Sequence, residues 1–301
     1  MEASRLTSPG AVVARTSVRQ LLADYVTLTK PRVQLLLLLT TVATMEVAGS
    51  PSIGLILLTL LGGALSAGGA GAVNHWYDRD IDLQMARTAT RPIPSGRISP
   101  RAALTFGIAL AALSFAELSL TVNVVAALLA LSGFLGYVFV YTLWLKRSTP
   151  QNIVIGGAAG AVPPLVGWAA VTGGLDGSAL YLFAIVFYWT PPHFWALSLL
   201  MKDEYAKVNV PMLPVVRGED ETRRQITLYS VLLVAITFLP FAGRLFDALY
   251  AAAAAVLGGV FLWLAVRLQR NPDRRAALRL YLYSLLYLAL LFAAMVADAK
   301  L

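Results

Sequence analysis

Nine separate runs of apolar residues, each long enough to cross a lipid bilayer, constrain this chain more than any other feature. A helix needs about 20 such residues to traverse ~30 Å of hydrocarbon at ~1.5 Å per residue. Runs near 33–49, 53–76, 102–122, 124–145, 153–172, 179–201, 226–242, 245–266 and 276–297 meet that length. Inside lipid, each segment must satisfy its own backbone donors and acceptors, which leaves helices as the structure for such runs. Composition agrees: 58% of residues are hydrophobic and only 13% charged, where a water-soluble domain carries about a quarter. A soluble enzyme, a disordered protein and a secreted disulfide scaffold are excluded. The chain has no cysteine, so disulfides, thiolate metal sites and thiol nucleophiles go together. Its two histidines supply a zinc site poorly. The expected fold is an all-α integral membrane bundle of nine helices.

The 24 basic residues give that count an independent test. Arg5, Arg15, Arg19, Lys30 and Arg32 precede the first span. With nine spans, 22 basic residues fall on that same side and only Arg244 and Lys300 on the other. A basic excess marks the cytoplasmic face, so the amino terminus is expected inside and the carboxyl terminus outside. The first 30 residues lack the apolar stretch of a cleavable signal. Residues 1–24 read as a flexible cytoplasmic tail and 25–301 as one transmembrane domain. The expected location is the cell inner (plasma) membrane, with an organelle inner membrane as the alternative. The net charge of +8 then follows from topology and calls for no nucleic acid. Outer connections are short, and Glu46 and Glu117 near them read as carboxylates snorkelling to the outer interface. Two inner connections, near 77–101 and 202–225, are long and polar, which places the chemistry on the cytoplasmic face.

In the first of these, Asn74, Asp78 and Asp82 recur at four-residue steps. If the second span's helix continues past the membrane edge, each step turns roughly 40°, so the three share a face and Asp80 falls opposite. Arg87 and Arg91 form another four-residue pair before Pro92 and Pro94, where helix cannot continue. Two carboxylates and an amide are hard oxygen ligands, suited to Mg²⁺. Arginines beside them can grip the same phosphates. The residues therefore read as a site for a diphosphate bound through metal. A simpler alternative is a solvated helix in which Asp and Arg pair. His75 points about 100° from Asn74 and reads as an interfacial helix residue. Arg32, just inside the first span, is expensive in lipid unless paired, so an anionic partner is expected. Lys146 and Arg147 project from the inner end of the fourth span, where topological charge alone would also put them.

The run from Asn74 through Asp78, Asp82, Met85, Arg87, Thr88, Arg91 and Pro92 resembles the first aspartate motif of intramembrane prenyltransferases of the UbiA superfamily. That resemblance covers essentially the whole chain beyond the tail. It implies nine helices, with polar motifs after the second and sixth. The second motif here is not aspartate-rich; it offers Asp203, Glu204 and Tyr205, preceded by Pro191-Pro192-His193-Phe194-Trp195 and followed by Pro211-Met212-Leu213-Pro214. This combination resembles the branch that farnesylates protohaem IX, as do Leu28 to Arg32, Tyr141 to Asn152 and Gly156 to Trp168. Glu204-Tyr205 stands where that branch commonly has Asp-Tyr, which keeps the charge on a longer arm.

The resemblance implies farnesyl transfer from farnesyl diphosphate to a vinyl group of haem b, with water addition, giving haem O. It implies Mg²⁺ on Asn74, Asp78 and Asp82, aided by Asp203 or Glu204, with Arg32, Arg87, Arg91, Lys146 and Arg147 around the diphosphate and Tyr205 nearby. His193 is expected in a polar, kinked stretch of span six, as a contact to the porphyrin or as a structural residue. Phe194 and Trp195 are expected to line an apolar slot. Besides the bilayer, a downstream haem A synthase or oxidase assembly factor is the implied partner. Two alternatives stand: a sister enzyme acting on an aromatic acceptor such as 4-hydroxybenzoate, and a transporter of haem or an anionic lipid. A transporter keeps its polar residues near the midplane, whereas here they gather at one face.

Overall fold

The computed structural model describes residues 17–301, and these fold into helices joined by turns and by a longer non-helical connection over 85–99. Arg5 and Arg15, and most of the tail expected over 1–24, lie outside the described residues. The rest of that tail is helical: Val18–Leu28 forms α1, capped by the Ser17 side chain on Gln20 N–H. Then follow α2 (Pro31–Ala48), α3 (Ile53–Tyr77), α4 (Arg79–Gln84), α5 (Pro100–Thr121) and α6 (Val124–Leu135). The last of these continues as a π-helix over Gly136–Trp144 and a 3₁₀ turn over Leu145–Arg147. Next come α7 (Asn152–Gly160), α8 (Val162–Thr172), α9 (Gly177–Leu200), α10 (Lys202–Lys207) and α11 (Leu213–Val216). The chain ends with α12 (Gly218–Thr237), α13 (Leu239–Ala242), α14 (Ala248–Arg270) and α15 (Arg274–Ala299). Side-chain oxygens of Ser52, Ser99, Asn123, Asp176 and Asp273 cap α3, α5, α6, α9 and α15, satisfying amides that the first turn leaves free.

Eight stretches are long and apolar enough to cross a membrane: Pro31–Ala48, Ile53–Tyr77, Pro100–Thr121, Val124–Arg147, Asn152–Thr172, Gly218–Ala242, Ala248–Arg270 and Arg274–Ala299. The segment expected to form the sixth span is a helix, α9, that continues through both prolines. It is absent from the apolar eight because Tyr188, Trp189, Thr190, Pro191, Pro192 and His193 dilute its hydropathy while the protein interior buries most of them. The fifth is two helices divided at Ala161, ahead of Pro163 and Pro164.

Small residues set the closest crossings. A Cβ on Gly69 would lie 2.6 Å from Gly107 O, so α3 and α5 meet backbone to backbone. Ser114 Oγ donates to Gly62 O at 2.7 Å and Ser66 Oγ to Ala130 O at 3.0 Å, binding α3 to α5 and α6. Such close approach and interhelical hydrogen bonding replace the hydrophobic drive that lipid does not supply. In the carboxyl-terminal half, Tyr250, Phe261, Tyr287 and Phe292 are fully buried, and Trp189 Nε1 donates to Ser284 O at 2.7 Å, fixing α9 on α15.

Candidate active site

The second span ends in a buried polar cluster. Asn74, Asp78 and Asp82 are 3%, 1% and 3% exposed, whereas the Asp80 side chain is 57% exposed. The helix breaks at Asp78, between α3 and α4. The register survives, because Asp78 N donates to Asn74 O at 2.9 Å and Asp82 N to Asp78 O at 2.8 Å. The four-residue face predicted from spacing is therefore the buried face, and Asp80 points outward as expected.

Cations surround this face. Lys30 Nζ donates to Asn74 Oδ1 at 2.5 Å. Asn74 Nδ2 donates to Asp78 Oδ2 at 2.8 Å and to Thr142 Oγ1 at 3.2 Å. Lys146 Nζ pairs with Asp78 Oδ2. Arg91 Nη1 reaches both oxygens of Asp82, at 2.9 and 2.7 Å, and Thr88 Oγ1 donates to Asp82 O at 2.9 Å. Arg147 bridges two acids: it grips both oxygens of Asp80 at 2.7 Å, its Nη2 lies 3.6 Å from Asp78 Oδ1, and it covers the Tyr77 ring, 4.4 Å from its centroid. That hydrogen bonding lowers the Asp80 carboxyl to about 2. Burial, with Arg91 and Lys146 close by, lowers the Lys30 ammonium to about 7.

Several expected residues lie elsewhere. Arg32 is exposed; the cation that enters from the first span is Lys30, which stands in the left-handed region (φ 55) just before Pro31. Arg87 is exposed, and because helix stops at Gln84 it does not share a helical face with Arg91. His75 is buried at 2%, not interfacial, with Nδ1 unpartnered. The π-helix had no counterpart in the sequence reading. It widens the turn over the stretch that carries Tyr137, Tyr141 and Thr142, and Lys146 and Arg147 follow it. Only the Thr-Lys-Pro step at the head of α2 was a usable signal for Lys30.

The second inner connection approaches the same cluster. Burial raises the Tyr205 phenol above its usual range, and Arg87, Glu204, Asp78 and Arg91 all lie close enough to act on its charge. Glu204 turns inward with Oε2 buried and unpartnered, while Asp203 is exposed. Trp195 is 2% exposed and meets Tyr229 edge to face at 5.1 Å; Phe194 meets His193 edge to face at 5.6 Å. The surroundings of His193 are aromatic rather than polar. Its ring stacks on Trp189 at 4.3 Å and Tyr281 at 4.9 Å, and Nδ1 bonds Ser284 Oγ at 2.7 Å.

Asp78 Oδ1 and Glu204 Oε2 are buried oxygens without a hydrogen-bond donor. Hard, anionic and unsatisfied, they fit a magnesium ion. Among the described residues no three acidic or imidazole side chains form a metal cluster. A bundle of helices long and apolar enough to cross a membrane, with buried acids and cations gathered at the end of α3, is the architecture of a multi-pass membrane protein with a polar site at one end.

The UbiA prenyltransferase family matches residues 35–293. A protoheme IX farnesyltransferase of Roseiflexus sp. (strain RS-1) is 55% identical, over 92% of this chain and 52% of the relative. The protein of the same name from Chloroflexus aurantiacus is 54% identical over 97% and 50%, so the chain spans about half the length of these two relatives. The Symbiobacterium thermophilum protein of that name is 55% identical over 93% of this chain and 95% of its own. Among solved structures, a digeranylgeranylglyceryl phosphate synthase superposes with a TM-score of 0.77 at 20% identity, covering 94% of this chain and all of the other. A UbiA homolog from Archaeoglobus fulgidus bound to DMAPP and Mg²⁺ gives 0.69 at 19%, covering 90% and 99%. The chain belongs to the UbiA prenyltransferase family.

Proposed function

We propose that this protein transfers the farnesyl group of farnesyl diphosphate to a vinyl group of protohaem IX, giving haem O and diphosphate. The observation that carries the reading is the 55% identity to the Symbiobacterium protein along nearly its whole length, joined to an inner-face cluster whose charges suit a diphosphate.

Asp78, Asp82, Asn74 and Glu204 would hold Mg²⁺, which when bound neutralises the diphosphate and makes it a competent leaving group. Lys30 lies against Asn74, Lys146 against Asp78 and Arg91 against Asp82; the three would share themselves with the phosphate oxygens, so that charge building on the leaving group meets preorganised donors. Arg87, exposed beside the cluster, would close on the outer oxygens. Arg147, held by Asp80, would position Tyr77 and the end of α3. The carbon–oxygen bond to diphosphate breaks, and the allylic carbon bonds to the terminal vinyl carbon. Water adds to the neighbouring carbon and loses a proton, leaving a hydroxyethylfarnesyl group. Half-buried Tyr137, Tyr141 and Tyr205 would help to exclude bulk water until that step. His193, Phe194 and Trp195 would contact the porphyrin, and residues 25–301 would act as one domain.

The reading includes a topology of nine spans, α9 among them, with the amino terminus cytoplasmic and the carboxyl terminus outside in a bacterial inner membrane; the lopsided basic residues support it. Purified protein supplied with farnesyl diphosphate, Mg²⁺ and either protohaem or 4-hydroxybenzoate tests the function by diphosphate release and product mass. Haem O from protohaem is expected; product from 4-hydroxybenzoate alone, or no diphosphate from either, overturns the reading.

A further inference from the structure

Away from the acidic cluster, α9, α12 and the turn before α7 enclose a cleft of about 240 Å³. Trp195 forms part of its wall. Its indole is buried, and the N–H has no acceptor. A buried donor without a partner costs about as much as a lost hydrogen bond, so it points to an acceptor that arrives with a ligand. Arg217, exposed at the head of α12 and without an ion-pair partner among the described residues, lines the same cleft. Two amides, Gln151 and Gln225, complete its polar side. The remaining charge there, Glu221, is already engaged: Gln225 Nε2 donates to it at 2.7 Å, and Arg224 lies 3.6 Å from its other oxygen. The cleft thus offers an uncompensated guanidinium and the Gln151 amide beside the Tyr229 ring, with the unsatisfied indole N–H of Trp195 buried in its wall.

We propose that this cleft is a carboxylate site, and, on the reading that the acceptor is protohaem, that it takes a propionate of the porphyrin. The macrocycle is apolar at its vinyl edge and carries both carboxylates at the opposite edge. Guanidinium and carboxylate match in shape and charge. Seating a propionate beside Arg217 fixes which edge of the porphyrin enters the bundle and so presents a vinyl group to the prenyl donor. Area burial alone would leave the ring free to enter either way round.

The test uses the full-length protein in phosphatidylcholine nanodiscs, titrated with ferric protohaem and with its dimethyl ester and followed by the Soret band. Wild type is expected to bind protohaem about ten-fold more tightly than the ester, the scale of one charge-assisted hydrogen bond. Arg217→Gln should weaken protohaem about ten-fold and leave the ester unchanged, while Trp195→Phe, which keeps the ring and removes the N–H, shows a smaller loss of the same kind. Equal weakening of both ligands, or undiminished discrimination in Arg217→Gln, overturns the proposal. If wild type forms haem O and prefers protohaem while Arg217→Gln prefers it equally, only the site assignment fails. If wild type neither binds nor farnesylates protohaem, the functional reading fails with it. Replacing a third of the lipid by phosphatidylglycerol separates the other anion source: an Arg217-dependent change imposed by that lipid on both ligands alike would assign the cleft to a headgroup and overturn the porphyrin assignment.

Discussion

Lys30 and Asn74, 44 residues apart, meet through a 2.5 Å hydrogen bond at one end of the bundle. The contact joins the turn before α2 to the end of α3 and brings a buried ammonium to the acidic face. Lys30 holds a left-handed conformation (φ 55), unfavourable for a residue with a side chain. Such strain persists where surrounding contacts over-determine it.

Lys30→Met should therefore lower kcat/KM for farnesyl diphosphate by about 10- to 100-fold, the worth of a charge-assisted hydrogen bond. Arg32→Met, two residues on but exposed, should change it less than about two-fold. Diphosphate release at varied farnesyl diphosphate checks both. Equal losses in the two variants would return the role to Arg32.

Asp78 and Asp80 separate in the same way. Asp78 is buried, binds Asn74 and Lys146, and keeps one oxygen without a hydrogen bond, 3.6 Å from Arg147 Nη2. Asp80 is half out in solvent and serves Arg147. Asp78→Asn keeps the volume and an acceptor for Lys146, so the protein should fold and insert. Turnover should nevertheless fall at least ~100-fold as the charge that would hold the metal goes. Asp80→Asn should cost about three-fold or less, since exposed pairs contribute little. Activity across a magnesium titration distinguishes them, with the Asp78 variant requiring more metal wherever activity remains.

What the sequence disclosed and what it hid divide along a physical line. The four-residue step of Asn74, Asp78 and Asp82 is a local period, and a local period survives even the break between α3 and α4. The outward turn of Asp80 follows from the same geometry. Lys30, Thr142 and Tyr137 enter the cluster through contacts between distant segments, and spacing along the chain carries no record of these. The π-helix over Gly136–Trp144 changes the period itself, so any face drawn at 3.6 residues per turn is misdrawn there. The roughly 100° offset of His75 from Asn74 points it away from the acidic face, yet neighbouring helices bury it there as well.

The same long-range logic ties α1 to the first inner connection. Asp24 is 2% exposed and accepts from Arg97 Nε at 2.9 Å and Nη2 at 3.0 Å. Asp24→Ala leaves Arg97 without its partner and should destabilise the protein by about 3 kcal/mol, the lower end for a broken buried pair because Arg97 is partly exposed. Hydrogen exchange should rise over 18–28 and 85–99 together. A rise confined to α1 would show that the pair does not hold the connection.

The close crossing of α2 and α8 gives a packing test. A Cβ on Gly167 would stand 2.4 Å from Thr41 O, a backbone atom that cannot swing aside. Gly167→Ala should cost about 1–3 kcal/mol through overpacking, read as a shorter thermal half-life in detergent. At Gly160, where a Cβ meets nothing within 4 Å, the same change should be neutral or slightly stabilising, because alanine favours helix.

His193 permits a sharper division between structural and chemical roles. The Ser284 hydroxyl has one proton and gives it to Tyr281 O at 2.6 Å, so at 2.7 Å it must accept from His193 Nδ1–H. A neutral imidazole protonated at Nδ1 carries its lone pair on Nε2. Trp189 and Tyr281 cover the two ring faces, and the edge bearing Nε2 is the one left to a ligand. Asparagine reproduces the Nδ1 donor and glutamine the Nε2 position. If that edge serves the porphyrin, His193→Asn should retain thermal stability and lose about 100-fold in turnover. His193→Gln should lose stability by about 1–3 kcal/mol for the abandoned Ser284 contact and keep more of its activity. The reverse order, a stable and active Asn variant, would make His193 a packing residue whose one essential bond is to Ser284.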